Sequence, residues 1–325
     1  MRSFEYYKPN SIEEAIKIME GLENAKFIAG GTDVMVQLRQ KKISPQHLIS
    51  LRNIPELRRI DTTDGLKIGS LITHSEIDKN EYIKRYYSAL TDATSRLGSK
   101  QIRNVATIGG NICNAAPSAD TACPLLIFDA KAVIIGKKGE REVDLNEFFL
   151  GPGKTILEKD EILKEFSMPK FNEYTGSAYI KHTRREAMDL PILGVATRLT
   201  LSLNKDSQIR CRDLLCTIDS ISNILNRLKD EGLKCEEARI AMGVVAPRPM
   251  RAKKAEEAIT GKIISPELFE EIGEIAANEA QPRDSIRGEA WYRKEMIRVL
   301  VKRAFMKSID RIVRPDEEIY PERLW

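Results

Sequence analysis

Phe27-Ile28-Ala29-Gly30-Gly31-Thr32-Asp33-Val34 is an apolar run that meets a glycine pair, a hydroxyl and a carboxylate before apolar residues resume. This order predicts a strand entering a tight turn that opens a helix, because glycine alone takes positive φ cheaply and lets a ligand approach the backbone. Bare amides at such a turn, added to the positive end of a helix, form a nest for an anion, phosphate above all. One glycine pair in isolation is more often an ordinary hairpin or strand–helix turn. A second stretch, Val105-Ala106-Thr107-Ile108-Gly109-Gly110-Asn111-Ile112, repeats the chemistry about eighty residues later. Two such turns can clamp one diphosphate from two sides, which points to a dinucleotide. Neither turn has the glycine spacing of the Rossmann fingerprint, and the chain has no P-loop.

A length of 325 residues predicts two domains, since single cores seldom outgrow about 250–300 residues. With 42% hydrophobic and 31% charged residues, the composition is that of an ordinary globular protein. The net charge of +4, from 52 basic and 48 acidic residues, gives no reason to expect nucleic acid. Basic pairs such as Arg184-Arg185 and Lys253-Lys254 read as solvated faces or subunit contacts. No run approaches the roughly 18–20 apolar residues of a membrane span, and the start of the chain lacks the apolar core of a signal peptide, so a cytoplasmic protein is expected. Five cysteines (Cys113, Cys123, Cys211, Cys216 and Cys235) without paired metal-site spacing fit free thiols in a reducing compartment. Cys113 and Cys123, the only candidates for a cluster, cannot supply four ligands.

Along the chain, Phe4 to Lys8 reads as an edge strand and Ile12 to Met19 as a helix capped by Asn10 or Ser11. A helix is expected from Val34 to Gln40, then a strand over His47 to Leu51, closing a βα unit near Arg59. Leu66 to Ser70 is a strand leading to a loop in which His74 reads as a cap for a helix over Ser75–Asp78. Residues 81–98 have helical spacing. Asp120 is placed to cap a helix over Thr121–Phe128. Ala132 to Ile135 reads as a buried strand, Lys137 to Glu140 as a hairpin turn and Phe148 to Lys154 as the end of the unit. Strands are expected over Ser177–His182, Ala196–Leu203 and Ala238–Val245. Helices at Lys253–Thr260, Pro266–Asn278 and Ala290–Met306 complete an α+β second domain.

The stretches Ala29 to Asp33, Gln101 to Ile112 and Pro117 to Asp120 together resemble the flavin-binding medium subunit of the molybdenum hydroxylases. That group includes xanthine dehydrogenase, carbon monoxide dehydrogenase and 4-hydroxybenzoyl-CoA reductase. The likeness runs over roughly residues 1–308. It implies an α+β chain: a p-cresol methylhydroxylase-type FAD-binding domain over 1–172 (subdomains near 1–60 and 61–172), a smaller domain over 173–290, and a C-terminal helix and extended tail over 291–325. It further implies one FAD. Attachment is expected to be non-covalent, because none of His47, His74 and His182 sits in a glycine turn. The cysteine-rich insert that carries a cluster in the 4-hydroxybenzoyl-CoA reductase relatives is absent here.

Under this resemblance the cofactor residues are Phe27, Ile28, Ala29, Gly30, Gly31, Thr32, Asp33 and Val34 from the first turn and Thr107, Gly109, Gly110 and Asn111 from the second. Asp120, Lys181 and Leu190 join them. Lys181, Arg184, Arg185 and Asp189 match the family's basic signature at the domain junction. A cation there would stabilise an anionic reduced ring. Interdomain pairing of these cations with Asp189 and Glu186 is the alternative. Relatives often have Asp-Ile-Ala where this chain has Asp189-Leu190-Pro191; proline removes an amide, which leaves Leu190 as an apolar ring contact. A Cβ at Gly30 or Gly110 is expected to intrude where phosphate meets backbone and abolish FAD binding while sparing much of the fold.

No general acid–base set, nucleophile or metal site is legible. An electron-transfer subunit is therefore expected rather than a complete enzyme. The resemblance implies a heterotrimer, or a dimer of heterotrimers, with an iron–sulfur subunit carrying 2Fe–2S clusters and a molybdopterin subunit. NAD or ferredoxin would be the external carrier. A self-contained flavin oxidoreductase of the same fold is the alternative. The substrate, whether purine, N-heterocyclic acid, aromatic thioester or carbon monoxide, would bind on another polypeptide. The segment 309–325, rich in apolar residues and ending in Tyr320 and Trp325 anchors, is expected to lie across a partner.

Overall fold

The computed structural model of the chain describes residues 3–202 and 220–314. Three parallel strands open it, with His47–Ser50 between Glu5–Tyr7 and Ala25–Ile28. The helix Ile12–Glu20 covers them. Ser11 caps it through a bond from the Glu14 amide, and its Ile12, Ala15 and Met19 face is buried against Ile49, Leu51 and Ile54.

The second unit is an antiparallel sheet in the order Ile60–Asp61, Leu66–Gly69, Ile162–Met168, Lys131–Gly136, Gly139–Asp144. Helices and turns from His74 to Phe128 pack on it through Leu90, Ile108, Leu125 and Phe128. The expected 81–98 helix is broken at Tyr87 into Glu81–Tyr86 and Ser88–Ser95. Tyr87 there leaves helical geometry and its buried hydroxyl donates to the Pro169 carbonyl at 2.6 Å.

The third unit is an antiparallel sheet, Thr175–His182, Leu193–Ser202, Lys234–Gly243 and Met250–Arg251. Successive strand residues point to opposite faces. Val195 and Leu199 therefore meet the helices Lys253–Ile259, Pro266–Glu279 and Ala290–Val313 in one core, while Tyr179, Ala196 and Ala241 join the core of the second unit. Two charge clusters span the same seam. Asp92 accepts from Lys307 at 2.8 Å and Arg311 at 2.7 Å; Asp129 pairs with Arg198 at 2.8 Å, Arg239 at 3.1 Å and Arg251 at 2.7 Å.

The last helix runs to Val313, with Ile309, Ile312 and Val313 buried in the chain's own core. The first residues of the expected tail are thus core residues, because their apolar spacing continues the helix. Trp291, at the start of that helix, is 63% exposed. The expectations for Tyr320, Trp325, Leu203, Cys211 and Cys216 fall outside the described residues. Among the described residues no helix is long and apolar enough to cross a membrane.

Candidate functional site

Both glycine stretches open onto one cleft of about 770 Å³, inside the range of cofactor pockets. At the first, the strand Ala25–Ile28 ends, Gly31 takes φ +77°, and the helix Val34–Arg39 begins after Asp33. Phe27, Ala29, Gly30, Gly31, Thr32, Asp33 and Val34 line the cleft. Ile28 does not. Strand alternation turns its side chain into the core against Leu38 and Leu48, away from the cleft. Arg52 fastens the turn from outside, donating to the carbonyls of Ala29 at 3.2 Å and Gly30 at 3.0 Å. Partial burial of Asp33 pushes its carboxyl above the usual range.

The second stretch differs from the first in geometry. Thr107 caps the helix Ile108–Cys113, its hydroxyl accepting from the Gly110 amide at 3.1 Å, so Gly109 and Gly110 lie inside the first helical turn. Thr107, Gly109, Gly110 and Asn111 line the cleft, and the Asn111 side-chain oxygen Oδ1 accepts from the Thr121 hydroxyl at 2.7 Å. The two turns touch. A Cβ on Gly30 would stand 2.2 Å from the Val105 carbonyl oxygen, so this glycine is required by chain against chain. The expectation that bulk at Gly30 would spare the fold is corrected on that ground. At Gly110 a Cβ would meet only the Thr107 hydroxyl, at 3.0 Å. Across the cleft Gln37 donates to Asn114 at 3.2 Å, tying the helices behind the two turns together.

Further along the cleft stands a buried ion pair. Lys181 donates to Asp120 Oδ2 at 2.8 Å and to the Arg96 carbonyl at 3.3 Å, while the Tyr179 hydroxyl donates to Asp120 Oδ1 at 3.0 Å. Asp120 is 5% exposed and Lys181 7%. Burial raises the Asp120 carboxyl despite the opposing pull of Lys181 and Tyr179. Asp120 therefore does not cap the following helix: that helix is Ala122–Ile127, and neither Asp120 nor the N-cap residue Thr121 bonds it through a side chain. Lys181 pairs with Asp120 rather than with Asp189 or Glu186. Arg185 approaches Asp189 at 3.6 Å, and Arg184 donates to the Ile286 carbonyl at 2.9 Å. Leu190 lines the cleft mouth at 51% exposure, its amide donating to the Asp189 carboxylate at 3.0 Å.

His74 also lines the cleft, but not as a capping loop residue. Thr73 caps the helix His74–Lys79 in a reciprocal box with Glu76, and His74 is the first helical residue, fully buried. Neither ring nitrogen has a partner, and desolvation lowers its pKa to about 4, so the ring is neutral. Tyr179, Arg52 and Asn114 were not legible as site residues, since their roles arise from contacts distant in sequence. The residues present fit a dinucleotide: two glycine turns beside an orphaned donor, continuing into a polar pair and an apolar mouth.

A profile of the FAD binding domain in molybdopterin dehydrogenase matches residues 2–171, and the CO dehydrogenase flavoprotein C-terminal domain matches residues 220–308. Over 307 residues the chain is 34% identical to the xanthine dehydrogenase FAD-binding subunit of Escherichia coli, covering 94% of this chain and 95% of that one. It is 29% identical to the carbon monoxide dehydrogenase medium chain of Hydrogenophaga pseudoflava, over 93% of this chain and 95% of that one. A solved structure of carbon monoxide dehydrogenase from the same organism superposes with a TM-score of 0.81 at 28% identity, over 95% of this chain and 98% of that one.

Proposed function

We propose a function from this premise: the chain belongs to the family of FAD-binding medium subunits of the xanthine dehydrogenase and carbon monoxide dehydrogenase type, and is a flavoprotein oxidoreductase subunit. It holds one FAD, non-covalently, in the 770 Å³ cleft and relays electrons between iron–sulfur clusters on a small subunit and an external carrier such as NAD or ferredoxin. Substrate oxidation takes place on a molybdopterin large subunit, in a heterotrimer or a dimer of heterotrimers in the cytoplasm. The single observation that carries this reading is the convergence of both glycine turns and the Asp120–Lys181 pair on one cleft.

Bound FAD supplies two-electron exchange with one partner and one-electron exchange with another. The chain's own residues bind and tune it. Gly31 and Gly110 bring backbone close to the diphosphate, with Thr107 fixing the second turn, while Gly30 and Gly109 let the turns pack against Val105 and Ser70. Lys181 adds a desolvated positive charge whose position Asp120 and Tyr179 fix, and such a charge favours electron-rich forms of the ring. Leu190 and Met188 cover the mouth and limit water. Non-covalent binding is supported by the state of the nearest nucleophiles: burial raises the Cys113 thiol to about 12, and His74 is enclosed. We place the FAD-binding domain at 1–172, with subdomains near 1–60 and 61–172, and the second domain from 173.

Exposed Met188 (65%), Ile286 (88%) and Trp291 (63%) lie on segments that the Arg184–Ile286 bond draws together. Apolar groups of this kind anchor interfaces, which supports a partner seated at the cleft mouth. The test is electron transfer by the isolated, FAD-loaded chain. Reduced nicotinamide or reduced ferredoxin should pass electrons to a dye, with no turnover of xanthine, nicotinate or carbon monoxide until the other two subunits are added. Turnover of an organic substrate by the chain alone would favour a self-contained oxidoreductase.

A further inference from the structure

His74 combines two properties that rarely coexist in a folded protein: complete burial and two ring nitrogens without a partner. Such groups are few, because each forfeits its hydrogen bonds to water without replacement. The ring lies against the cleft rather than deep in the apolar core. Its backbone fixes it at the second glycine turn: the His74 amide donates to the Ala106 carbonyl at 3.2 Å, and Thr73 forms an isolated bridge with Thr107. Thr107 in turn holds Gly110. The orphaned imidazole is therefore one residue from the backbone that forms the turn. Arg103 is the charged group acting on it, and that guanidinium is already engaged with the carbonyls of Leu97 and Gly98.

We propose that His74 is a binding residue for the dinucleotide, its neutral imidazole donating one N–H to a diphosphate oxygen held at the second glycine turn. This rests on the reading of the cleft as the FAD site. A neutral ring suits the task, since it offers a donor without the cost of burying a further cation in the cleft.

Three full-length variants test it. His74→Leu removes both nitrogens and keeps a comparable apolar volume. It should weaken FAD binding by roughly ten- to thirtyfold while leaving the melting temperature of the flavin-free chain unchanged or higher. His74→Asn and His74→Gln carry a donor near the Nδ1 and Nε2 positions respectively, and one of them should restore affinity to within about threefold. Unchanged affinity in His74→Leu overturns the inference, as does equal loss in all three variants. A lowered melting temperature of the flavin-free His74→Leu chain without loss of affinity assigns His74 to the fold and also overturns it. Should these variants fail to fold, the wild-type chain answers by NMR with 15N-histidine. On adding FAD the His74 ring signals should move, and those of His47 and His182, which do not line the cleft, should stay; a silent His74 overturns the inference. A wild-type chain that takes up no FAD refutes the underlying reading itself, and is distinguished by the stoichiometry measured first.

Discussion

Lys181→Met would leave the Asp120 carboxylate facing the cleft without its cation. Both groups are buried, at 5% and 7% exposure, and their contact is 2.8 Å. Removing one partner of such a pair costs roughly 3–5 kcal/mol, because the survivor stays desolvated. Here the Tyr179 hydroxyl still donates to Asp120 Oδ1, and the carboxyl, already raised by burial, can take up a proton. Both effects place the cost at the lower end, about 3 kcal/mol. Asp120→Asn removes the countercharge instead, leaving the buried ammonium only neutral acceptors, the Arg96 carbonyl and the new amide oxygen, and should cost a similar amount. The double variant removes both charges and should recover much of the loss, giving a coupling of about 2–3 kcal/mol. Urea unfolding of the flavin-free full chain at neutral pH measures all four corners of the cycle. Additive losses, or single variants within about 1 kcal/mol of wild type, would refute the assignment of this pair as a coupled buried unit.

Gly30→Ala should destabilise the chain by roughly 1–3 kcal/mol and lower FAD affinity with it, because its Cβ meets the Val105 carbonyl oxygen at 2.2 Å. Gly110→Ala, which meets only the Thr107 hydroxyl, should unfold like wild type and lose affinity alone; thermal melts with and without FAD separate the two. His74 keeps a folded pKa near 4 against an ordinary 6.5. The unfolded chain therefore binds the proton first, and stability should fall as pH drops through this window, by about 2 kcal/mol between pH 7 and pH 5. Urea titrations at the two pH values should show this loss in wild type and not in His74→Leu; equal slopes would contradict it.

Much of the site was legible because glycine pairs and alternating apolar residues report local geometry. The strand, turn and helix at 25–39 follow from Phe27 to Val34 read alone. The apolar run alone does not say which side chains face the cleft, and strand alternation buries that of Ile28 against Leu38 and Leu48. The place of Asp120 before a helix predicts a cap, but its partners are Tyr179 and Lys181, some sixty residues away, and no local pattern encodes that pairing. Local pattern makes His74 a polar loop residue, since burial of a helix's first residue depends on the second glycine turn folding over it. The role of Gly30 changed for the same reason: the space it vacates is filled by Val105, not by a ligand.

The most direct measurement of the central claim is flavin stoichiometry in the purified full-length chain. After FAD is added and excess removed by gel filtration, a flavin spectrum at about one FAD per chain should remain, and acid precipitation should release all of it to the supernatant. A correctly folded chain that stays colourless would contradict the cleft as an FAD site, and flavin retained in the acid pellet would contradict non-covalent binding.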